Sequence, residues 1–407
     1  MSESKGKALI FGAGNVGRGF LGHLLHLSGY ALTFADIDQA LLQAIHERQG
    51  YTLRLADRDR VEDVWIAPVC VVHAEDKAAI AQAIVAADIA VTAVGARALP
   101  VLAPLLAAGL AQRARERPDA PLNIILCENL RDAHRVFRNL IRQNLPPDLH
   151  GYLDQRVGLV MSVIARMVTT PPAEARAADP TLVIAEPYRR LPVDRHGFVG
   201  PIPAIVGLEP RDRFNAWVDW KLYIHNAGHA VLAYLGYRRG HHYGYQALED
   251  PQVGPWSAQA MRESARALVV EHGFDPAQLE ADVQDLLRRF ANRALADPIS
   301  RLARDPLRKL APTDRLVGAA TLCLRHGIVP DALSWGIAAG LAFDDPADPS
   351  AVELQRRLKV DGLDRVLAEV CGLDPAGELA GWVRARYRRL CAGEIPLPQG
   401  EGTAELA

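Results

Sequence analysis

Three side chains on one short stretch carry groups suited to oxidising an alcohol. Lys221-Leu-Tyr-Ile-His-Asn226-Ala-Gly-His229 offers an amine, a carboxamide and an imidazole. The reaction needs a base that takes the hydroxyl proton while hydride leaves the carbon. A lysine desolvated at a domain cleft serves, because burial disfavours its charged form. An amide N–H stabilises the developing alkoxide, and an imidazole holds a neighbouring hydroxyl. On an α-helix with Lys221 at the origin, His229 falls at about 80° and Asn226 at about 140°. The three share one broad face but spread over roughly 12 Å along the axis. A bend near Gly228, or an extended polyol that follows the row, reconciles this spread with one site. The competing reading is an amphipathic helix whose polar face is merely solvated.

Lysine usage supports the chemical reading. Only six of the 46 basic residues are lysine, at 5, 7, 77, 221, 309 and 359. A lysine kept mid-chain in an arginine-rich protein points to a task arginine cannot do, such as releasing a proton. That singles out Lys221 and Lys309. A metal is the less favoured alternative. His225 and His229 form an HxxxH pair and His241-His242 follow, but Asn226 stands where an HExxH site has its glutamate. No cysteine or carboxylate cluster completes a ligand set, so the expected site holds no metal.

A second constellation is Gly12-Ala13-Gly14-Asn15-Val16-Gly17, which follows an apolar run and opens a helical pattern. Gly12 permits the tight turn, Gly14 lets a pyrophosphate approach the backbone, and Gly17 lets the helix pack closely on the sheet. The phosphates then rest on the helix N-terminus with its free N–H groups. Asp36 ends the next strand-like run. A carboxylate there accepts from a ribose diol and repels a 2′-phosphate, favouring NAD over NADP. The alternative is a glycine-rich turn in an unrelated α/β protein, with Asp36 capping a helix.

Elements that position these residues follow from periodicity. Apolar runs at Ala8–Phe11, Ala31–Ala35, Ile89–Val94, Asn123–Cys127 and Gly158–Ile164 alternate with helical patterns at 15–28, 37–48, 99–115 and 132–143. That alternation predicts βαβ units and a parallel sheet. Residues 169–210 are Pro-rich and read as irregular strands. Beyond Arg211 the period is helical, with helices expected over 211–237, 257–272, 277–295, 313–326, 331–343, 350–370 and 376–391. The expected class is α/β, a Rossmann-type doubly wound N-terminal domain followed by an all-α C-terminal domain. The domains are 1–200 with the linker and 201–391, and 392–407 form a loose tail.

Composition narrows the partners. The 407 residues carry a net charge of −2, with 49% hydrophobic and 23% charged residues. Such values exclude disordered and fibrous classes and leave no electrostatic case for nucleic acid or an anionic membrane. No apolar run approaches the length of a membrane span, and the first residues lack a signal-peptide core. Five cysteines without CxxC spacing fit a reduced cytoplasmic protein. The expected partner is a small molecule, with monomer and dimer both open.

The residues together resemble a known family. Phe11-Gly-Ala-Gly-Asn-Val-Gly-Arg-Gly-Phe20, Thr33-Phe-Ala-Asp36, Thr92-Ala-Val-Gly95 and Lys221-x4-Asn226-x2-His229 resemble the polyol-specific long-chain dehydrogenase/reductase family. Pro306-Leu-Arg-Lys-Leu310, Asp314-Arg-Leu316 and Leu333-Ser-Trp-Gly336-Ile-Ala-Ala339 extend the resemblance to about residue 390. It implies that Lys221 is the general acid/base, that Asn226 stabilises the alkoxide, that His229 contacts substrate and that no metal takes part. One segment departs. Where the family usually has Asn/Asp-Ser-x-x-Asp-Arg-Ile-x-Pro, this chain reads Met161-Ser-Val-Ile-Ala165-Arg-Met-Val-Thr169. Met161 brings no hydrogen-bond donor and Ala165 no carboxylate, which leaves Asn129 as another source of a polar contact.

A phosphorylated substrate needs a basic pocket, and Arg308, Lys309 and Arg315 are the expected residues. The competing reading pairs the two arginines with surface carboxylates. The expected function is NAD-dependent interconversion of an alditol phosphate and a ketose phosphate, with mannitol 1-phosphate and fructose 6-phosphate as the pair. A non-phosphorylated polyol or a hexuronate is the alternative substrate. A dinucleotide-binding sensor without catalysis is the alternative class.

Overall fold

Ala8, Leu9, Ile10 and Phe11 are each at most 2% exposed, as an apolar run covered on both faces of a sheet requires. They belong to β1 (Gly6–Phe11) in a computed structural model that describes residues 5–398 apart from 59 and 129. The chain divides into two units after Phe214. The division falls beyond the expected residue 200 because Leu208–Arg211 is a strand paired in parallel with Leu191–Asp194 of the first unit.

In the first unit, β2 is Tyr30–Asp36, β3 Tyr51–Asp57, β4 Arg60–Ile66 and β5 Val69–His73. They are followed by β6 (Ile89–Thr92), β7 (Leu122–Leu126), β8 (Val157–Met161), β9 (Val168–Thr169) and β10 (Val183–Ala185). Six of them form a parallel sheet in the order β5-β2-β1-β6-β7-β8. This is the doubly wound order, and it reverses between β1 and β6. The crevice at the carboxyl ends of those two strands is where such sheets bind ligands.

A second sheet, ordered β4-β3-β10-β9, was not foreseen. The stretch 51–66 mixes charged and apolar residues, and β4 faces solvent along most of its length. Its pairing with β3 is stabilised by Arg54 and Asp63, which lie opposite each other and make two bonds of 2.7 and 2.8 Å. Tyr51, Leu53, Val168, Val183 and Ala185 join Ile10, Phe20, Leu24 and Phe34 in one core cluster. The second sheet thus packs against the helix that follows the glycine loop.

The regular elements of the second unit among the described residues are all helices. Its central helix, Ala227–Arg238, is buried at every position from Ala227 to Gly236 except His229, as its apolar composition all round demands. Gly228 and Gly336 let neighbours approach. A Cβ on Gly228 would lie 2.4 Å from Met261, and one on Gly336 2.5 Å from Val231. The expected helix over 211–237 is instead a short helix (Phe214–Asp219), a π-helical turn (Trp220–Asn226) and the central helix. The expected helix over 350–370 is broken at Gly362, whose φ is +80°. Of the tail, 392–398 lack regular structure beyond a turn, and the Trp256 indole donates to the Pro396 carbonyl at 2.8 Å. Residues 399–407 lie outside those described. No helix among the described residues is long and apolar enough to cross a membrane.

Candidate active site

The glycine loop lies at the carboxyl end of β1. Gly12 has φ +99°, and a Cβ there would lie 2.5 Å from the Ala93 carbonyl oxygen, just beyond β6. A Cβ on Gly17 would lie 1.9 Å from the Gly12 carbonyl oxygen. Both positions therefore require glycine. Gly14 differs, being exposed with open space where a Cβ would sit, which is the condition for a phosphate to reach the backbone. Val16 leads into a π-helical stretch (Gly17–Gly22) and packs on the core cluster. The Asn15 amide donates to Thr170 Oγ1 at 3.1 Å.

Asp36 faces this loop. Its Oδ2 accepts from the Ala13 N–H at 2.5 Å, and its Oδ1 accepts from the N–H groups of Ile37 and Asp38 at 2.7 and 3.0 Å. The residue that caps the following helix is Asp38, through the Leu41 N–H. Asp36 is therefore part of the loop and not a helix cap. Glu128, beyond β7, is buried and accepts from Thr92 Oγ1 at 2.7 Å and the Val94 N–H at 3.3 Å. Burial pushes its carboxyl up from the ordinary range.

In the second unit, Lys221 and Asn226 occupy the π-helical turn. Lys221 Nζ donates to Asn226 Oδ1 at 2.6 Å. Backbone bonds in a π-helix run from i to i+5, so residues five apart lie nearly one above the other. The change of winding brings Lys221 and Asn226 into contact despite the 140° separation expected on an α-helix. With its amide oxygen on Lys221, Asn226 keeps its NH₂ as a donor. His229, one turn on, stacks on Phe290 with centroids 3.8 Å apart and planes 6° from parallel. His225, which the spacing offers only as one half of an HxxxH pair, is 3% exposed and packs against both rings at 5.5 Å. Burial, with the nearby charge of Lys221, holds both imidazoles well below their ordinary range, so both are neutral at pH 7. His241 is engaged elsewhere, 2.8 Å from Asp250. Among the described residues, no three His, Cys, Asp or Glu side chains are grouped to hold a metal ion.

Arg308, Lys309 and Arg315 come together around one turn. Asp314 accepts from Arg315 Nε at 2.7 Å and from Arg308 Nη1 at 3.5 Å, and Asp305 accepts from Arg308 Nε at 2.6 Å. Both arginines thus have carboxylate partners. Lys309 is 4% exposed, donates to the Leu302 carbonyl and sits 5.8 Å from the Tyr234 ring centroid. Burial, reinforced by Arg315 and Arg308, pushes its ammonium down to about 6. Lys309, Arg301 and Arg289 lie within electrostatic reach of His229. Arg289 precedes Phe290 and pairs with Asp285 at 3.5 Å, an i,i+4 spacing that reads in sequence as an ordinary surface pair.

Residues 6–207 match the family model of the mannitol dehydrogenase Rossmann domain, and residues 213–387 match that of the mannitol dehydrogenase C-terminal domain. The chain belongs to the mannitol dehydrogenase family. A mannitol-1-phosphate 5-dehydrogenase of Brevibacillus brevis is 37% identical over 383 residues, covering 94% of this chain and 98% of that one. Two solved structures share the fold. Mannitol 2-dehydrogenase of Pseudomonas fluorescens, in a ternary complex with NAD and D-mannitol, aligns with a TM-score of 0.76 at 18% identity. That alignment covers 97% of this chain and 93% of that one. A substrate-free D-sorbitol dehydrogenase aligns with a TM-score of 0.77 at 17% identity, covering 97% and 95% of the two chains.

The segment 161–169 lies in the core of the first unit. Met161 ends β8 opposite Leu126, and Met161 and Ala165 are both buried. Ser162 Oγ donates to the Leu126 carbonyl at 2.8 Å, and Arg166 Nε donates to the Glu186 carbonyl at 2.5 Å. Those polar groups serve the fold. Asn129 lies outside the described residues.

Proposed function

We propose that this chain is an NAD-dependent oxidoreductase interconverting mannitol 1-phosphate and fructose 6-phosphate. The name of the Brevibacillus brevis relative supports that substrate pair, and the NAD held by the Pseudomonas fluorescens enzyme supports the cofactor. The glycine loop fits NAD, since Gly14 is open to a phosphate and Asp36 stands where a ribose diol would be recognised. When bound, the nicotinamide supplies hydride exchange with the substrate carbon.

The observation that carries the mechanism is the 2.6 Å bond from Lys221 to Asn226. It fixes the amine on one side of the carboxamide and leaves the NH₂ group to face an oxygen. Lys221 takes the substrate hydroxyl proton on oxidation and returns it on reduction. Asn226 donates to the oxygen that bears the developing charge. His229, neutral and oriented by Phe290, holds a further hydroxyl. Arg308 and Arg315 engage the carboxylates of Asp305 and Asp314, with the buried Lys309 beside them, so a substrate phosphate would have to take these arginines from their carboxylates.

The test is NADH oxidation with fructose 6-phosphate and with fructose. Preference for the phosphate by roughly two to four orders of magnitude in kcat/KM follows from two charge-assisted contacts. Equal use of both sugars would remove the phosphate role and leave a polyol dehydrogenase. NADH binding with no turnover of any ketose would leave a sensor.

A further inference from the structure

Ala13, the second residue of the glycine loop, has both of its backbone groups held. Its N–H goes to Asp36, and its carbonyl accepts from Arg18 Nε at 2.5 Å. Arg18 also donates to the Thr181 carbonyl, in the segment that leads into β10. Arg18 is 6% exposed, so its guanidinium lies beneath the loop and does not face a ligand. The second sheet surrounds it. Tyr51 Oη donates to the Arg18 carbonyl at 2.8 Å, and the Tyr51 ring lies 5.9 Å from the guanidinium carbon.

Thr181 is itself fixed. Asp179 accepts from the Thr181 N–H at 2.9 Å, from its hydroxyl at 2.7 Å and from Thr52 Oγ1 of β3 at 2.8 Å. Arg48 closes the cluster on Asp179. The glycines at 19 and 22 permit this approach, since a Cβ on Gly19 would lie 2.6 Å from Val168 and one on Gly22 2.4 Å from Tyr51 Oη.

In a trans peptide the C=O and the following N–H point in opposite directions. A carbonyl of Ala13 drawn inward by Arg18 therefore turns the Gly14 N–H outward, at the one glycine of the loop with open space around it. We propose that Arg18 is a positioning residue for the cofactor's pyrophosphate: it aims the Gly14 N–H, and the second sheet holds it in place through Thr181. Its buried positive charge adds to the potential at the helix N-terminus, where a phosphate is most attracted. The inference rests on the dinucleotide reading of the loop.

The test compares ADP, which carries a pyrophosphate, with adenosine, which does not. Binding of each to the wild-type chain, Arg18→Met and Arg18→Lys is measured by calorimetry or ligand-observed NMR. Arg18→Met should weaken ADP by about tenfold to a hundredfold and leave adenosine within about twofold. Arg18→Lys keeps the charge but reaches one carbonyl at a time, and should fall between. If Arg18→Met does not fold, Arg18→Lys carries the same comparison. Unchanged ADP affinity, or equal loss for ADP and adenosine, would overturn the role of Arg18. A wild-type chain that binds neither ADP nor NADH would instead overturn the dinucleotide reading.

Discussion

Lys221 and Asn226 are five residues apart and hydrogen-bonded at 2.6 Å. An α-helix would turn these side chains well away from each other, whereas the π-helical winding of Trp220–Asn226 stacks them. Such turns are costly in isolation and occur often at functional sites. Here the turn passes directly into the fully packed central helix, whose burial stabilises it.

Lys221→Ala should lower kcat by about a hundredfold to ten-thousandfold, the range for loss of a general acid/base. NADH affinity should stay within about twofold, since the base acts on the chemical step. Lys221→Arg should recover little, because arginine holds its proton at any working pH. Single-turnover kinetics and fluorescence titration check both, and near-normal kcat in either variant would place the base elsewhere.

Asn226→Asp would set a carboxylate on the Lys221 amine. An opposite charge at that distance favours the ammonium and raises the lysine pKa. The alkaline shift should appear as a displacement of the kcat profile for alcohol oxidation to higher pH. Asn226→Ala should instead lower kcat without such a displacement. A profile for Asn226→Asp that overlays the wild type would show that the bond is not kept during turnover.

Asp36→Ala removes the partner of the Ala13 N–H and the carboxylate proposed to accept from the ribose. NADH affinity should fall, and the ratio of kcat/KM for NADH to that for NADPH should drop by at least about tenfold. An unchanged ratio would mean that Asp36 only braces the loop.

The proposed phosphate role of Lys309 carries a pH dependence. Its folded pKa is lowered to about 6, so in the free enzyme its charge is present below pH 6 and lost above it. A bound phosphate must then draw the proton back, and the contact weakens as pH rises. The penalty of Lys309→Met on kcat/KM for fructose 6-phosphate should be largest near pH 6. It should shrink by up to about tenfold per unit towards pH 8. A penalty independent of pH would place Lys309 in the fold alone.

Much of this protein was legible along the chain. Local backbone requirements are written locally, so the glycine loop, the strand at 8–11, most of the strand expected at 89–94 and the acidic residue at 36 could be read from residue type and spacing. The shift to a helical period beyond Arg211 placed the second unit for the same reason. The tertiary structure decided what depends on partners distant in sequence. β3 and β10 pair across more than a hundred residues, and neither stretch has a periodicity strong enough to announce a sheet. Arg18 reads in sequence as one arginine among 40; its contact with Thr181, 163 residues away, makes it part of the loop. The π-helical turn was equally hidden. Residue spacing along the chain was plain, but the winding that converts a spacing of five into contact depends on how the helix is packed.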